Sequence, residues 1–178
     1  MPSNKPLRFT AFIAALLLGT SVPALAAPNE FIVEIEVPRI AVAEYHRPYV
    51  AGWVEDASGK TVSHLLVWYD QKKRENGGKK WLPDMKTWWR KGGRTLATPA
   101  DGITGATRAP GRATVTLPAA SSPLAKLPAG QYVFVVEAAR EGGGREVVKA
   151  PFAWKPGGTI AATAKGTGEV GAVKLSSR

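Results

Sequence analysis

Seven short segments in which apolar and polar residues alternate, each closed by turn-forming residues, constrain this chain more than any other feature. Residues 29–38 carry Phe31, Val33, Ile35 and Val37 on one side of an extended chain and Glu34 and Glu36 on the other, the period of two that marks a half-buried strand. Residues 48–55 (PYVAGWVE) read as a second strand, stopped by Asp56-Ala57-Ser58-Gly59, residue types that favour a tight turn. Residues 61–69 (TVSHLLVWY) are apolar on both sides at their centre, which places that strand inside a sheet. The alternation returns at 112–117, and 130–139 and 145–154 flank Glu141-Gly142-Gly143-Gly144 as a hairpin. Pro151 puts the second arm of that hairpin at a sheet edge, and 169–175 form a weaker seventh strand.

The expected fold is all-β: an antiparallel β-sandwich of about seven strands, immunoglobulin/fibronectin-like, with one short helical insertion. The insertion lies in residues 71–94. There Leu82, Met85, Trp88 and Trp89 fall at helical spacing, Pro83 and Asp84 suit a first turn, and Gly92-Gly93 supply a stop. The spacing predicts two to three helical turns across one end of the sandwich. Met85 and at least one Trp are expected to be buried, with the basic residues in water. Trp53, Trp68 and Trp154 are expected in the sandwich core. Residues 96–111 are expected as an exposed loop, and 156–168, rich in Gly, Ala and Thr, as a linker.

The amino terminus reads as an export signal. Lys5 and Arg8 precede an apolar run from Phe9 to Val22, and Ala24-Leu25-Ala26 has the small-x-small cleavage pattern. Pro23 interrupts the run before it reaches the roughly 20 apolar residues of a membrane span. Residues 1–26 are therefore expected to be removed, leaving 27–178 as one periplasmic domain. The chain has no cysteine, which excludes disulfides, thiolate metal sites and a thiol nucleophile. Two histidines, His46 and His64, leave little room for a metal site or triad. His64 reads as a structural residue of an apolar strand and His46 as a loop residue. Glu137, Glu141 and Glu146 around the hairpin lack the neighbours of an acid/base pair. The expectation is a chain that is not a stand-alone enzyme, and an enzyme acting on envelope polymers is disfavoured.

The charge is unevenly placed. The chain carries a net +10, and residues 71–94 alone carry +7, with only Glu75 and Asp84 opposing Lys72, Lys73, Arg74, Lys79, Lys80, Lys86, Arg90, Lys91 and Arg94. Interleaved basic and Trp residues are the footprint of nucleic-acid binding, which export argues against. Two readings remain: contact with an anionic membrane surface or membrane partner, and a solvated face on a core-packing helix.

The sharpest motif is Asp101-Gly102-Ile103-Thr104-Gly105-Ala106-Thr107. It resembles the flavinylation motif Asp-x-x-Ser/Thr-Gly-Ala-Thr recognised by periplasmic flavin transferases. That motif also occurs in the covalent FMN subunits of the sodium-pumping NADH:quinone reductase and of the related Rnf complex. The resemblance implies FMN held by a phosphoester on Thr107, with Asp101, Thr104, Gly105 and Ala106 shaping the approach. Arg108 follows the motif where those subunits carry small apolar and hydroxyl residues. The chain as a whole, through WVEDASGK, WLPDMKTWW, DGITGAT and LPAGQYVFVVEAAREGGGRE, resembles predicted periplasmic proteins of unassigned function that accompany PepSY-type membrane reductases and flavin transferases. It implies extracytoplasmic electron transfer, with those two as partners. On that reading Arg90, Arg94, Arg108 or Arg112 would pair with the phosphodiester, and Trp88 or Trp89 would stack on the flavin ring. Two alternatives stay open: a flavin-free periplasmic binding or interaction module, and a plain Gly-rich loop leading into the strand at Arg112.

Overall fold

The computed structural model describes residues 27–178, the side chain of Asn76 excepted; residues 1–26, read above as an export signal, lie outside the described residues. Nine strands form two sheets. In chain order they are β1 (Glu30–Val37), β2 (Tyr49–Asp56), β3 (Thr61–Tyr69), β4 (Thr104–Ala106), β5 (Gly111–Pro118), β6 (Gly130–Ala139), β7 (Arg145–Trp154), β8 (Ala161–Lys165) and β9 (Ala172–Ser177). One sheet has the order β5-β1-β9-β8 and the other β4-β3-β2-β6-β7. The all-β sandwich is the fold that the alternating segments predict, and every pairing is antiparallel except β3 with β4.

Two of the nine strands were not expected. β4 lies within the segment read as an exposed loop, and β8 lies within the segment read as a linker. Both are short strands at sheet edges, where a single neighbour suffices and little hydrophobic pattern is needed. The hairpins are as expected. Gly59 closes the β2–β3 turn at φ 78°, and the Asp56 carboxylate accepts from the N–H groups of Ser58 and Lys60. Pro151 sits in β7, an edge strand.

Phe31, Val33 and Ile35 from β1 meet Val50, Val54, Phe134 and Val136 between the sheets, with Trp68 and Trp154 in the same core. Trp53 is the exception among the tryptophans read as sandwich core. It belongs to a second core on the outer face of the five-stranded sheet, with Ala51, Val67, Val135, Leu82, Met85 and Trp88. That face is covered by the basic insertion, so the insertion is a third layer and not a helix across one end. It comprises a 3-10 helical run Arg74–Asp84 and one short helix, α1 (Lys86–Arg90). Met85 and Trp88 are fully buried beneath it, as the spacing predicts.

A buried carboxylate fixes the layer. Glu137 points outward from β6 and is fully buried. It accepts from the backbone N–H of Thr87 at 3.1 Å and of Trp88 at 2.6 Å, and from Arg145 at 2.7 Å. The donors at the start of α1, which have no partner within the helix, are thus satisfied from the sheet. Glu55 on β2 does the same for the other end: it accepts from Trp53 Nε1 at 2.9 Å and pairs with Lys91 at 3.4 Å. Removing Glu137 leaves the Thr87 and Trp88 N–H groups without their acceptor and Arg145 without its carboxylate. Glu137→Ala should therefore cost about 3 kcal/mol, measured by urea unfolding, whereas Glu44→Ala, at an exposed position, should stay within about 0.5 kcal/mol.

Candidate functional site

The motif is delivered to the surface by β4. Thr104–Ala106 pairs in parallel with Val67–Tyr69, so Ala106 lies opposite Tyr69 and Thr107 emerges beside the turn that follows β3. Gly105 lies opposite Trp68. A Cβ at Gly105 would stand 2.9 Å from Cδ1 and 3.2 Å from Nε1 of the Trp68 indole, so this residue is glycine because the ring occupies the space of a side chain. Arg108 folds back over the same junction, its guanidinium 5.3 Å from the Trp68 ring centre.

The two motif hydroxyls have different surroundings. Thr104 Oγ1 accepts from the backbone N–H of Ala100 at 2.7 Å, and the Thr104 N–H returns a bond to the Ala100 carbonyl at 2.9 Å. This hydroxyl closes the turn that starts β4. Thr107 is half-buried, and no such bond holds its hydroxyl among the described residues.

Thr107 and Ala106 open onto a cleft of about 560 Å³, within the roughly 300–1,000 Å³ of small-molecule sites. The cleft crosses one end of the five-stranded sheet. Its walls are the turn after β3 (Asp70, Lys72, Lys73), the segment leading into β2 (Tyr45, His46, Arg47, Tyr49) and Glu141 of the β6–β7 hairpin. Tyr49 donates to the Gly78 carbonyl at 3.1 Å, and burial raises its phenol pKa above the ordinary value. The Tyr45 hydroxyl is buried without a hydrogen-bond partner among the described residues.

Other residues nominated from sequence are placed elsewhere. Asp101 is exposed and lines a separate crevice with His64 and Ile103, at the far end of β4 from Thr107. Trp88 is fully buried, and its Nε1–H donates to His64 Nδ1 at 3.2 Å, so it has no free face for a ring. Trp89 is half-buried and packs against the second core. Arg90 and Arg94 belong to the helical layer, outside the cleft walls. Arg112 lies on β5 in the other sheet, 3.7 Å from Glu34. The basic side chains are also less free than expected: Lys79 donates to the Thr98 carbonyl and Lys91 to the Gly59 carbonyl, while Lys73 and Lys80 lie over the Trp81 ring. The cleft residues were missed because they come from three separate segments.

A family model described as predicted periplasmic protein (DUF2271) matches residues 30–172, from the start of β1 to the first residue of β9. No curated protein and no solved structure matches the chain.

The geometry carries two expectations. Gly105→Ala forces β4 away from Trp68 and should cost about 1–3 kcal/mol, with faster amide exchange at Thr104–Ala106. His64 is the second. Burial holds its imidazole pKa below the ordinary value, and the neutral ring accepts from Trp88. Stability from this pair is complete above about pH 6.5 and is lost as pH falls through the lower folded value. Urea unfolding at pH 7 and pH 5 should show a stability loss in the wild type that is smaller in His64→Asn.

Proposed function

The chain belongs to this family of predicted periplasmic proteins, and from that premise we propose that it is a periplasmic electron carrier with FMN attached covalently to Thr107. One observation carries the reading: of the two motif hydroxyls, Thr104 is consumed by the Ala100 N–H, whereas Thr107 stands half-exposed at the mouth of a cleft. A modifying enzyme needs an acceptor hydroxyl that it can reach without unfolding the domain, and Thr107 meets that need at the end of an edge strand.

The residues around Thr107 suit the group. The cleft has adequate volume and is lined by two tyrosines and three cations, and Gly105 with Ala106 keeps the approach narrow. The modification joins the Thr107 oxygen to the phosphorus of a pyrophosphate-activated FMN. The pyrophosphate bond breaks, the nucleoside monophosphate leaves with the bridging oxygen, and the hydroxyl proton passes to solvent or to the transferase. When attached, the flavin supplies the one- and two-electron chemistry. The chain anchors the phosphate at Thr107 and orients the approach of partners, which are a flavin transferase and a PepSY-type membrane reductase.

Coproduced with a flavin transferase in an exporting host, the mature chain should gain the mass of one FMN less one water and keep its flavin through denaturation. Thr107→Ala should abolish the adduct while changing stability by less than about 0.5 kcal/mol. Thr104→Ala should reduce attachment without abolishing it, because that hydroxyl closes the turn. An unmodified wild-type chain beside a labelled acceptor in the same cells would leave a flavin-free binding module as the function.

A further inference from the structure

The cleft beside Thr107 has a charge and shape of its own. Its cations are Arg47, Lys72 and Lys73, and its acids are Asp70 and Glu141. Both acids are engaged: an Asp70 oxygen accepts from the Lys72 backbone N–H at 2.9 Å, and Glu141 pairs with Lys73 at 3.3 Å. Arg47 and Lys72 have no carboxylate partner among the described residues. The arginine, lysines and carboxylates of the wall sum to one positive charge, which complements the single charge of a phosphodiester.

Position separates the cleft into two parts. Ala106 lies opposite Tyr69, so Thr107 stands next to the Asp70–Lys73 turn, and the cations of that turn are the near wall. Tyr49 opens β2, the next strand across the sheet, and Glu141 follows β6, the strand beyond it. From β4 to β2, which Tyr49 opens, is two strand spacings, about 10 Å. The aromatic wall, Tyr45 and Tyr49, is thus set off from Thr107 by roughly the reach of a group tethered there. The buried, unpartnered Tyr45 hydroxyl lies at that wall.

We infer that this cleft is a built bed for the tethered nucleotide: Lys72 holds the phosphate from the near wall, Arg47 reaches it from between the two tyrosines, and Tyr45 and Tyr49 flank the flavin ring. The inference deepens the assignment of Thr107 as acceptor and rests on it. It also moves ring contact away from the tryptophans of the helical layer. A ring held in this bed is shielded on one side and open to partners on the other.

Two arms test it. In the first, flavin-loaded wild-type protein is compared with a loaded Arg47→Ala/Lys72→Ala variant by fluorescence. A bed predicts emission several-fold below that of free FMN and weak quenching by iodide. The double variant should shift both toward free FMN. Emission and iodide quenching equal to those of free FMN, unchanged by the variant, would mean that the flavin is attached without a bed, and would overturn the inference while leaving the acceptor assignment intact. In the second arm, unloaded Thr107→Ala protein is titrated with free FMN, riboflavin and inorganic phosphate. The bed predicts binding of FMN at least fivefold tighter than riboflavin, and a loss of at least fivefold in Arg47→Ala/Lys72→Ala. Tyr45→Leu, which removes an aromatic ring and no charge, should weaken FMN and riboflavin alike. Equal binding of FMN and riboflavin, or displacement of FMN by an equal concentration of inorganic phosphate, overturns the bed. Because this arm needs no covalent adduct, it decides the matter even if no adduct forms in the first.

Discussion

Two carboxylates buried on the outer face of the five-stranded sheet hold the rest of the molecule in register. Taking a carboxylate out of water costs several kcal/mol unless it is paired and hydrogen-bonded. Glu137 meets that condition with the first N–H groups of α1 and with Arg145, and Glu55 with Trp53 and Lys91. Each therefore demands that the helical layer be present, at its two ends. Once held, the layer seals Trp53, Met85 and Trp88, and the sheet is buried on both faces. The turn between β3 and the layer is then fixed as well, which gives the cleft its near wall.

The same sheet presents the motif. β4 adds a short parallel edge to β3, and that edge is positioned by a glycine lying flat against an indole. Gly105 against Trp68 and Thr104 against Ala100 leave Thr107 as the first residue beyond the constrained segment. The motif thus holds its first hydroxyl and releases its last. The fold supplies a rigid platform, and the residues around the cleft supply the chemistry.

Much of this was legible in the residues. Phe31-x-Val33-x-Ile35 in β1 and the hairpin at Glu141–Gly144 follow from period and turn chemistry alone. The third layer was half legible. YVAGWVE in β2 and YVFVVEAA in β6 are nearly continuous apolar runs, the signature of strands covered on both faces, and Glu137 within the second run marks where the cover attaches. The short strands were not legible: β4 and β8 are small-residue segments that become strands only because a neighbouring strand offers hydrogen bonds. Nor was the cleft, since Tyr45, Lys72 and Glu141 are brought together by topology and by no local pattern. Which of Trp88 and Trp89 turns inward was left open by the spacing; the fold buries Trp88 against His64 and leaves Trp89 half-buried.

Thr107 is the proposed point of flavin attachment, and a single peptide reads it. Trypsin acts after Arg94 and Arg108, so residues 95–108 leave the protein as one peptide containing Thr95, Thr98, Thr104 and Thr107. Tandem mass spectrometry of that peptide, taken from protein matured in the presence of a flavin transferase, reads the attachment site directly. The account predicts fragment ions that place the FMN mass on Thr107 alone. A peptide modified at Thr104, or recovered wholly unmodified while another acceptor in the same cells is labelled, would contradict it.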